Sequence, residues 1–235
     1  LAQPLPFRNF VAQTRFSMKP EEHEVFFIKL LGNVDEPTAP FGLLNTLSDG
    51  SDLEEVIMDM DPVLNRRTCA CAKSIGVSAA SIFHLAWSQV LSLISGKETV
   101  VFGTVLFGRT QSIDEADRML GMFINTLPVC FKVDATPAIT GVKKMHQLLA
   151  DLMRHEHASL SLAQRCSAVP PPTPLFSALL NYRHSTATVN DVSETTASLW
   201  KNMGIEVLNE NERTNYPLTL SIDDYGTGFR LTMQV

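Results

Sequence analysis

Apolar residues recur along this chain with two periods, one typical of helices and the other typical of strands. The helical period predicts four helices, whose ends coincide with start signals such as proline and stop signals such as glycine. The predicted helices span residues 21–31, 62–76, 78–94 and 140–154. The third of them carries apolar side chains on every face, which predicts a helix that is buried on all sides.

The strand period appears between these helices and again near the end of the sequence. A nearly continuous apolar run at 100–107 predicts a strand that is covered on both faces. In the next predicted strand Asn125 is the lone polar residue of an apolar row. The strands predicted after the first lie at 122–133, at 175–184, and in a closing hairpin of 218–223 and 229–235 with one face in water.

Helices that alternate with apolar strands predict an α/β fold, an α+β sandwich in which helices flank a mixed β-sheet. The chain has 235 residues, of which 45% are hydrophobic and 19% charged. Those values are typical of a soluble globular protein, and the sequence contains no apolar run long enough to cross a membrane. The net charge of −6, without a cluster of Lys and Arg, argues against nucleic acid and anionic membranes as partners.

The four cysteines are spaced unlike a zinc or thioredoxin motif, because only Cys69 and Cys71 lie close together. Free thiols in a reducing compartment are the favoured interpretation, so a cytoplasmic location is expected. No metal site is predicted. Both ends of the chain have the character of cuts within a longer protein, since the first residues carry no signal pattern and the last ones continue a strand pattern.

The segment 103–110 is one residue away from a phosphate-binding loop, with Arg109 where that loop has lysine. The residues between its glycines prefer an extended strand, so a nucleotide site is disfavoured. Arg109 remains of interest because a guanidinium at the end of a buried strand usually finds a carboxylate partner.

The run His155-Glu156-His157 resembles a metal or acid–base cluster, but residues two apart on a helix point to roughly opposite sides. A solvated helix end is therefore the favoured interpretation. The polar run at 212–217 is interpreted as a loop whose charges pair locally, and Asp223-Asp224 as turn residues. No serine-hydrolase elbow is present, so the residues alone predict a mixed α/β domain without a visible catalytic constellation.

Several segments, taken in order, resemble the condensation domains of nonribosomal peptide synthetases. The most specific is Gly-x-Phe-x-Asn-Thr-x-Pro within 120–128, and the strand at 101–109 ends in the Gly-Arg of that family. The remaining matching segments are 5–13, 155–160, 175–183 and 213–218. The matches run from residue 5 to the end of the chain, and they are collinear.

The resemblance implies a chloramphenicol-acetyltransferase-like fold with two lobes and a tunnel between them. Donor and acceptor would enter as thioesters on the phosphopantetheine of carrier domains, and the acceptor amine would attack the donor thioester to form an amide. The active histidine of the family lies in a His-His-x-x-x-Asp-Gly motif of the N-terminal lobe. This chain has no adjacent pair of histidines, so residues 1–235 are expected to form a C-terminal lobe that is inactive alone.

The resemblance also implies roles for individual residues, none of them catalytic. Arg109 would pair with the aspartate of the absent motif, and Asn125 would be structural. The candidates to line the tunnel or the acceptor side are Gly103, Tyr182, Arg183, Arg213 and Tyr216.

The implied partners are the N-terminal lobe, donor and acceptor carrier domains and an adjacent adenylation domain, with self-association through the exposed lobe face as a further expectation. No cofactor is expected to bind directly. Two alternatives stay open: a lobe of a dual epimerisation–condensation domain, and a module that docks carriers without chemistry.

Overall fold

The computed structural model describes residues 3–46, 53–108, 118–184, 203–204 and 212–235. Helices and strands are interspersed along these residues, the helices in pairs and the last three elements all strands. The helices are α1 (Phe7–Ser17), α2 (Pro20–Leu31), α3 (Pro62–Ile75), α4 (Ala79–Ser95), α5 (Ala138–Arg154) and α6 (Leu160–Arg165). The strands are β1 (Glu55–Asp59), β2 (Thr99–Leu106), β3 (Asn125–Lys132), β4 (Ala178–His184), β5 (Leu218–Asp224) and β6 (Phe229–Gln234).

The four predicted helices are all present, and their ends follow the local signals. In α3 the carboxylate of Asp61 accepts hydrogen bonds from the backbone N–H of Val63 and Leu64, which caps the first turn. The same helix stops at Gly76, whose φ of 70° is the left-handed conformation that glycine adopts without strain. The short helices α1 and α6 and the strand β1 had not been predicted.

The six strands form one sheet in the order β1-β6-β5-β4-β2-β3. β2, β4 and β5 run parallel to one another, while β3, β6 and β1 are antiparallel to their neighbours. The predicted mixed sheet is thereby confirmed. Because parallel strands place their carboxyl ends at the same edge, β2, β4 and β5 all end at one edge of the sheet.

The face of the sheet that packs on α4 holds much of the apolar core, and we call it the α4 face. Phe83 of α4 contacts Phe229 of β6, with 4.8 Å between ring centroids, and it also contacts Tyr182 of β4. His84 of α4 lies 2.9 Å from the hydroxyl of Thr104 on β2. We call the other side of the sheet the opposite face. On β4 it carries Leu179, Asn181 and Arg183, because successive side chains of a strand point to alternate faces.

Two predictions about burial are wrong. Helix α4 is not buried on all sides, because Leu93 is 83% exposed and Val90 is also exposed. The closing hairpin does not have one face in water, because Thr219 and Ser221 of β5 are buried. β5 lies inside the sheet, between β4 and β6, rather than at its edge.

Two predicted strands begin later than expected. The strand predicted from residue 122 begins at Asn125, and the one predicted from residue 175 begins at Ala178. Phe123 therefore does not belong to a strand row; it packs with Phe10 and Met119 in a small second cluster beside the main core. Helix α1 contributes Phe10 to that cluster, which explains why the two segments come together.

Candidate functional site

The edge at which β2, β4 and β5 end is the candidate functional site, because ligands of open α/β sheets bind outside the carboxyl ends of parallel strands. β4 ends in Arg183 and His184, which pair in register with Asp223 and Asp224 of β5. Past the end of β2 lies Gly108, whose φ is 68° and whose Cβ, if it had one, would meet the carbonyl oxygen of Phe123 at 2.0 Å. The residue after it, Arg109, lies outside the described residues, so its predicted carboxylate partner stays a prediction.

Four charged side chains cross the opposite face in a row, one on each of β4, β5, β6 and β1. We call this row the ion ladder, and it consists of Arg183, Asp223, Arg230 and Asp59. Arg183 donates to both carboxylate oxygens of Asp223, at 2.7 and 3.1 Å. Arg230 binds both oxygens of Asp59 in the same way, at 2.7 and 3.2 Å. The alternating charges bind the end of the sheet together across four strands.

The ion ladder also attaches the segment 212–217 to the sheet. Nη1 of Arg183 donates to Glu212 at 2.7 Å, so the charges of this segment do not pair locally as had been predicted. Burial tends to lower the pKa of Arg183, but its hydrogen bonds to Asp223 and Glu212 outweigh this effect and raise it. At the other end, the hydrogen bond from Arg230 holds the pKa of Asp59 below its ordinary value.

Tyr182 does not share a surface with Arg183, since it points to the α4 face. Its hydroxyl donates to Asp224 at 2.5 Å, and Nδ1 of His184 lies 3.2 Å from the same carboxylate oxygen. Burial and then the hydrogen bond to Asp224 raise the pKa of Tyr182. Asp224 also accepts from the N–H of Gly226, so its predicted role as a turn residue is compatible with its place in the structure.

The other residues predicted to line the tunnel lie on or beside the opposite face. A Cβ at Gly103 would lie 2.3 Å from Leu179 and 2.6 Å from the ring of Phe176, so the glycine gives Phe176 room to approach the sheet. Tyr216 stacks on that ring at 5.6 Å, and burial raises the pKa of its hydroxyl. Arg213 is exposed beside Glu212. The structure thus groups Gly103, Tyr216 and Arg183 on one face and leaves Tyr182 on the other.

Asn125 joins the start of β3 to the turn that follows α5. Its amide nitrogen donates to the backbone carbonyls of Glu156 and Ala158, both at 2.7 Å, and its oxygen accepts from the N–H of Thr126. All of these partners are backbone groups. The contacts agree with a structural role, because each satisfies a polar group at a partly buried position.

His155-Glu156-His157 is not a solvated helix end, because Glu156 is only 1% exposed. The ring of His155 stacks on Phe26 at 4.0 Å, and its Nδ1 lies 2.9 Å from Nδ1 of His23 on α2. Burial lowers the pKa of both His23 and His155, and in each case a neighbouring histidine lowers it further. One ring must donate and the other accept, so the pair excludes double protonation. Sequence reasoning missed His23, since no local signal connects it to a residue 132 positions away.

An exposed apolar patch lies next to the end of β2. Its members are Phe107, Leu120, Met122 and Ile124, all of them exposed. Exposed apolar side chains that lie close together are typical of interfaces. The expectation that the lobe associates through an exposed face stays a prediction.

Metal and disulfide chemistry find little support in the described part of the chain. Among those residues no group of three or more His, Cys, Asp or Glu side chains is arranged to hold a metal ion. All four cysteines are free, as predicted, and burial raises the pKa of Cys130 to about 11. No single described helix is long and apolar enough to span a membrane, although α3 and α4, bent by 109° where they meet, would pass on length and composition when taken as a pair.

The family is shown by sequence: the model of the family described as "Condensation domain" matches residues 6–235. The chain belongs to that family. It is 47% identical over 235 residues to malpibaldin synthetase of Mortierella alpina, and 47% identical over 230 residues to malpinin synthetase of the same organism. These alignments cover 100% and 98% of this chain but only 4% and 3% of the two synthetases.

Solved structures agree on the fold. The condensation domain from monacolin K polyketide synthase superposes with a TM-score of 0.69 at 18% identity, covering 97% of this chain and 55% of that one. The X-domain from teicoplanin biosynthesis gives a TM-score of 0.71 at 16% identity, covering 97% and 52%. A four-domain nonribosomal peptide synthetase contains the same fold, with a TM-score of 0.67 at 13% identity over 94% of this chain and 18% of that one. The predicted fold class and family are therefore confirmed, and a condensation domain of such a synthetase is one domain among several.

Proposed function

We propose that this chain is the C-terminal lobe of a condensation domain that forms amide bonds between carrier-tethered aminoacyl or peptidyl thioesters in nonribosomal peptide synthesis. The family match along 6–235 carries the proposal. The assignment as one lobe is supported by the two structural matches, which cover 97% of this chain but only 55% and 52% of the two solved relatives.

In the proposed reaction the acceptor amine attacks the carbonyl carbon of the donor thioester. A C–N bond forms, the C–S bond breaks, and the donor phosphopantetheine leaves as a thiol while the amine gives up a proton. The histidine expected to assist that proton belongs to the other lobe, so this chain contributes positioning rather than proton transfer. The parts of this chain proposed to position the substrates are the sheet edge that carries the ion ladder and Arg109, which follows Gly108.

The proposed partners follow from the same assignment. The N-terminal lobe would cover the exposed apolar patch at the end of β2, because burying apolar side chains is the main favourable term in such contacts. The other proposed partners are donor and acceptor carrier domains, which present the substrates on phosphopantetheine, and an adenylation domain. The proposed location is the cytoplasm. Without the other lobe the patch would favour self-association, which light scattering at several protein concentrations measures.

The test compares this chain with the intact condensation domain that contains it. Each is mixed with two carrier domains loaded with aminoacyl thioesters, and mass spectrometry follows the new amide on the acceptor carrier. The intact domain is expected to form product and the separate chain none. Turnover by the separate chain would contradict the assignment as an inactive lobe, and the chirality of the product distinguishes a dual epimerisation–condensation domain.

The same assay examines Arg109 in the intact domain. Replacing Arg109 by alanine is expected to lower the rate at least 10-fold, since the loss of its proposed pair with the aspartate of the histidine motif would leave that carboxylate uncompensated. Arg66→Ala serves as the matched control, because Arg66 is exposed on α3 within the helix layer. Equal rates for the two variants would remove Arg109 from the proposed supporting role.

A further inference from the structure

Strand β1 forms one edge of the sheet, and every side chain in it is exposed. Among the described residues it pairs with β6 alone. Glu54 exchanges two backbone hydrogen bonds with Val235, and the N–H of Met60 donates to Phe229. Antiparallel strands bond at every second residue, so the backbone groups of Glu55, Ile57 and Asp59 point away from β6.

The exposed side chains of β1 are apolar in the middle and acidic at both ends. Val56, Ile57 and Met58 are 67%, 58% and 58% exposed, which is unusual for three consecutive large apolar residues. The acidic residues are Glu54 and Glu55 on one side and Asp59 and Asp61 on the other, with no Lys or Arg between 53 and 65.

The two faces of this edge differ in chemistry. Val56 and Met58 pair in register with Met233 and Leu231, which places them on the α4 face beyond the reach of the helix layer. Glu55, Ile57 and Asp59 lie on the opposite face, where Glu55 accepts from Gln234 and Asp59 ends the ion ladder. An added strand would meet only apolar side chains on one of its faces, and on the other two exposed carboxylates on either side of Ile57.

We propose that the outer edge of β1 binds an extended segment of a partner polypeptide in which basic and apolar residues alternate. Its backbone would pair with Glu55, Ile57 and Asp59, its apolar residues would cover Val56 and Met58, and its basic residues would meet the carboxylates. Addition of a strand to an exposed sheet edge is a known mode of peptide recognition, in which the backbone gives affinity and alternate side chains give specificity.

A second copy of this chain fits the edge less well. Two β1 strands related by a two-fold axis run antiparallel, and the register that pairs them fully is centred on Ile57. That register places Glu55 of one copy opposite Asp59 of the other at both ends. Like charges directly opposite one another destabilise a strand pair, so charge favours a basic partner over self-pairing.

The probe is a fluorescein-labelled hexapeptide of alternating Lys and Val, titrated against the intact protein that contains this chain and followed by fluorescence anisotropy. Its control is a peptide of the same composition with three lysines followed by three valines. We expect the alternating peptide to bind at least 10-fold more tightly than the block peptide, and added salt to weaken the binding. Equal affinities, or no binding by the alternating peptide at millimolar concentration, would overturn the proposal.

Two changes test the backbone pairing. Ile57→Pro removes an N–H that points away from β6 and is expected to weaken binding at least 10-fold, whereas Ile57→Thr keeps that N–H and changes affinity less than 3-fold. N-methylation of alternate peptide amides makes the same test on the unchanged protein, so the result does not depend on the proline variant folding. Wild-type affinity for both the proline variant and the methylated peptide would show that the lysines bind the acidic surface without strand pairing. Neither result depends on amide-forming activity, so this proposal and the proposed function can fail separately.

Discussion

The two faces of the central sheet are made by the same strands, yet they differ in what their side chains do. On the α4 face Leu180 and Ile222 are fully buried in the main core. On the opposite face the same two strands present Ser221 and the ion-paired Arg183 and Asp223. The α4 face is thus typical of a hydrophobic core, whereas the opposite face, although Leu179 and Val101 are buried there, joins the ends of β4 and β5 through charged contacts.

This difference indicates a division of work between the faces. Apolar burial on the α4 face stabilises the fold whatever the relative orientation of the side chains, since it depends on the apolar area removed from water. The bidentate ion pairs of the opposite face contribute less energy but depend on geometry, so they fix which residues stand side by side at the edge where the parallel strands end. Stability and the arrangement of the candidate site therefore rest on different side chains.

The strongest test compares one substitution on each face of β5. Ile222→Ala should lower the free energy of unfolding by about 2–5 kcal/mol, because it leaves a cavity in a closely packed core. Thr219→Val should be neutral or stabilising by up to about 1 kcal/mol, since among the described residues the buried Thr219 hydroxyl has no hydrogen-bond partner. Urea denaturation of both variants measures the contrast, and similar losses would mean that the two faces do not differ as argued.

A second test uses pH and a buried polar pair on the α4 face. Nε2 of His84 accepts a hydrogen bond from the hydroxyl of Thr104. The side chain is fully buried, and this burial lowers its pKa to about 4. The unfolded chain, with a histidine pKa of about 6.5, takes up a proton before the folded one does as the pH falls. The contribution of His84 to the free energy of unfolding is therefore fully present above pH 6.5. About 3 kcal/mol of it should be lost as the pH falls from 6.5 to 4.

The control for this prediction is the double variant His84→Leu with Thr104→Val, which replaces both partners by apolar groups. Its free energy of unfolding should depend less on pH over the same interval, although its carboxylates still titrate. Parallel pH curves for the variant and the wild-type protein would show that His84 does not carry the expected loss.

The smallest expected effect concerns the ion ladder. A double-mutant cycle on Arg183 and Asp223 should give a coupling free energy of about 1 kcal/mol that decreases with added salt. Solvent limits the value, because the side chain of Arg183 is 39% exposed. The exposed pair Lys132 and Glu98, separated by 3.8 Å, is the matched comparison and should show a smaller coupling. A larger coupling free energy in the exposed pair would contradict the argument that the ion ladder joins its strands more strongly than an exposed ion pair does.

Much of the α4 face could be predicted because its signals are local. The apolar row of α5 includes Met145, Leu149 and Leu152, which recur at helical spacing, and all three are buried. Strand β1 escaped prediction for the opposite reason. It is exposed throughout, so its sequence carries no alternation between apolar and polar positions that could reveal a sheet.

The candidate site was less predictable, because its contacts join distant parts of the chain. Arg183 and Asp223 are 40 residues apart, and the parallel pairing of β4 with β5 places them in register. A shift of one residue would have moved Arg183 to the α4 face and Tyr182 to the opposite one. The resemblance implied that both residues line one tunnel or surface, whereas adjacent side chains of a strand point to opposite faces.

By itself the sequence determined the four longest helices, that is α2, α3, α4 and α5, together with most of the strands, the mixed sheet and the family, since capping residues, apolar periods and collinear motifs are all properties of short segments. Only the tertiary structure decided the strand order, the two faces, the ion ladder and the pairing of His23 with His155. Each of these brings together residues far apart in the chain, and the choice among such pairings is made by the packing of the whole sheet rather than by any local preference.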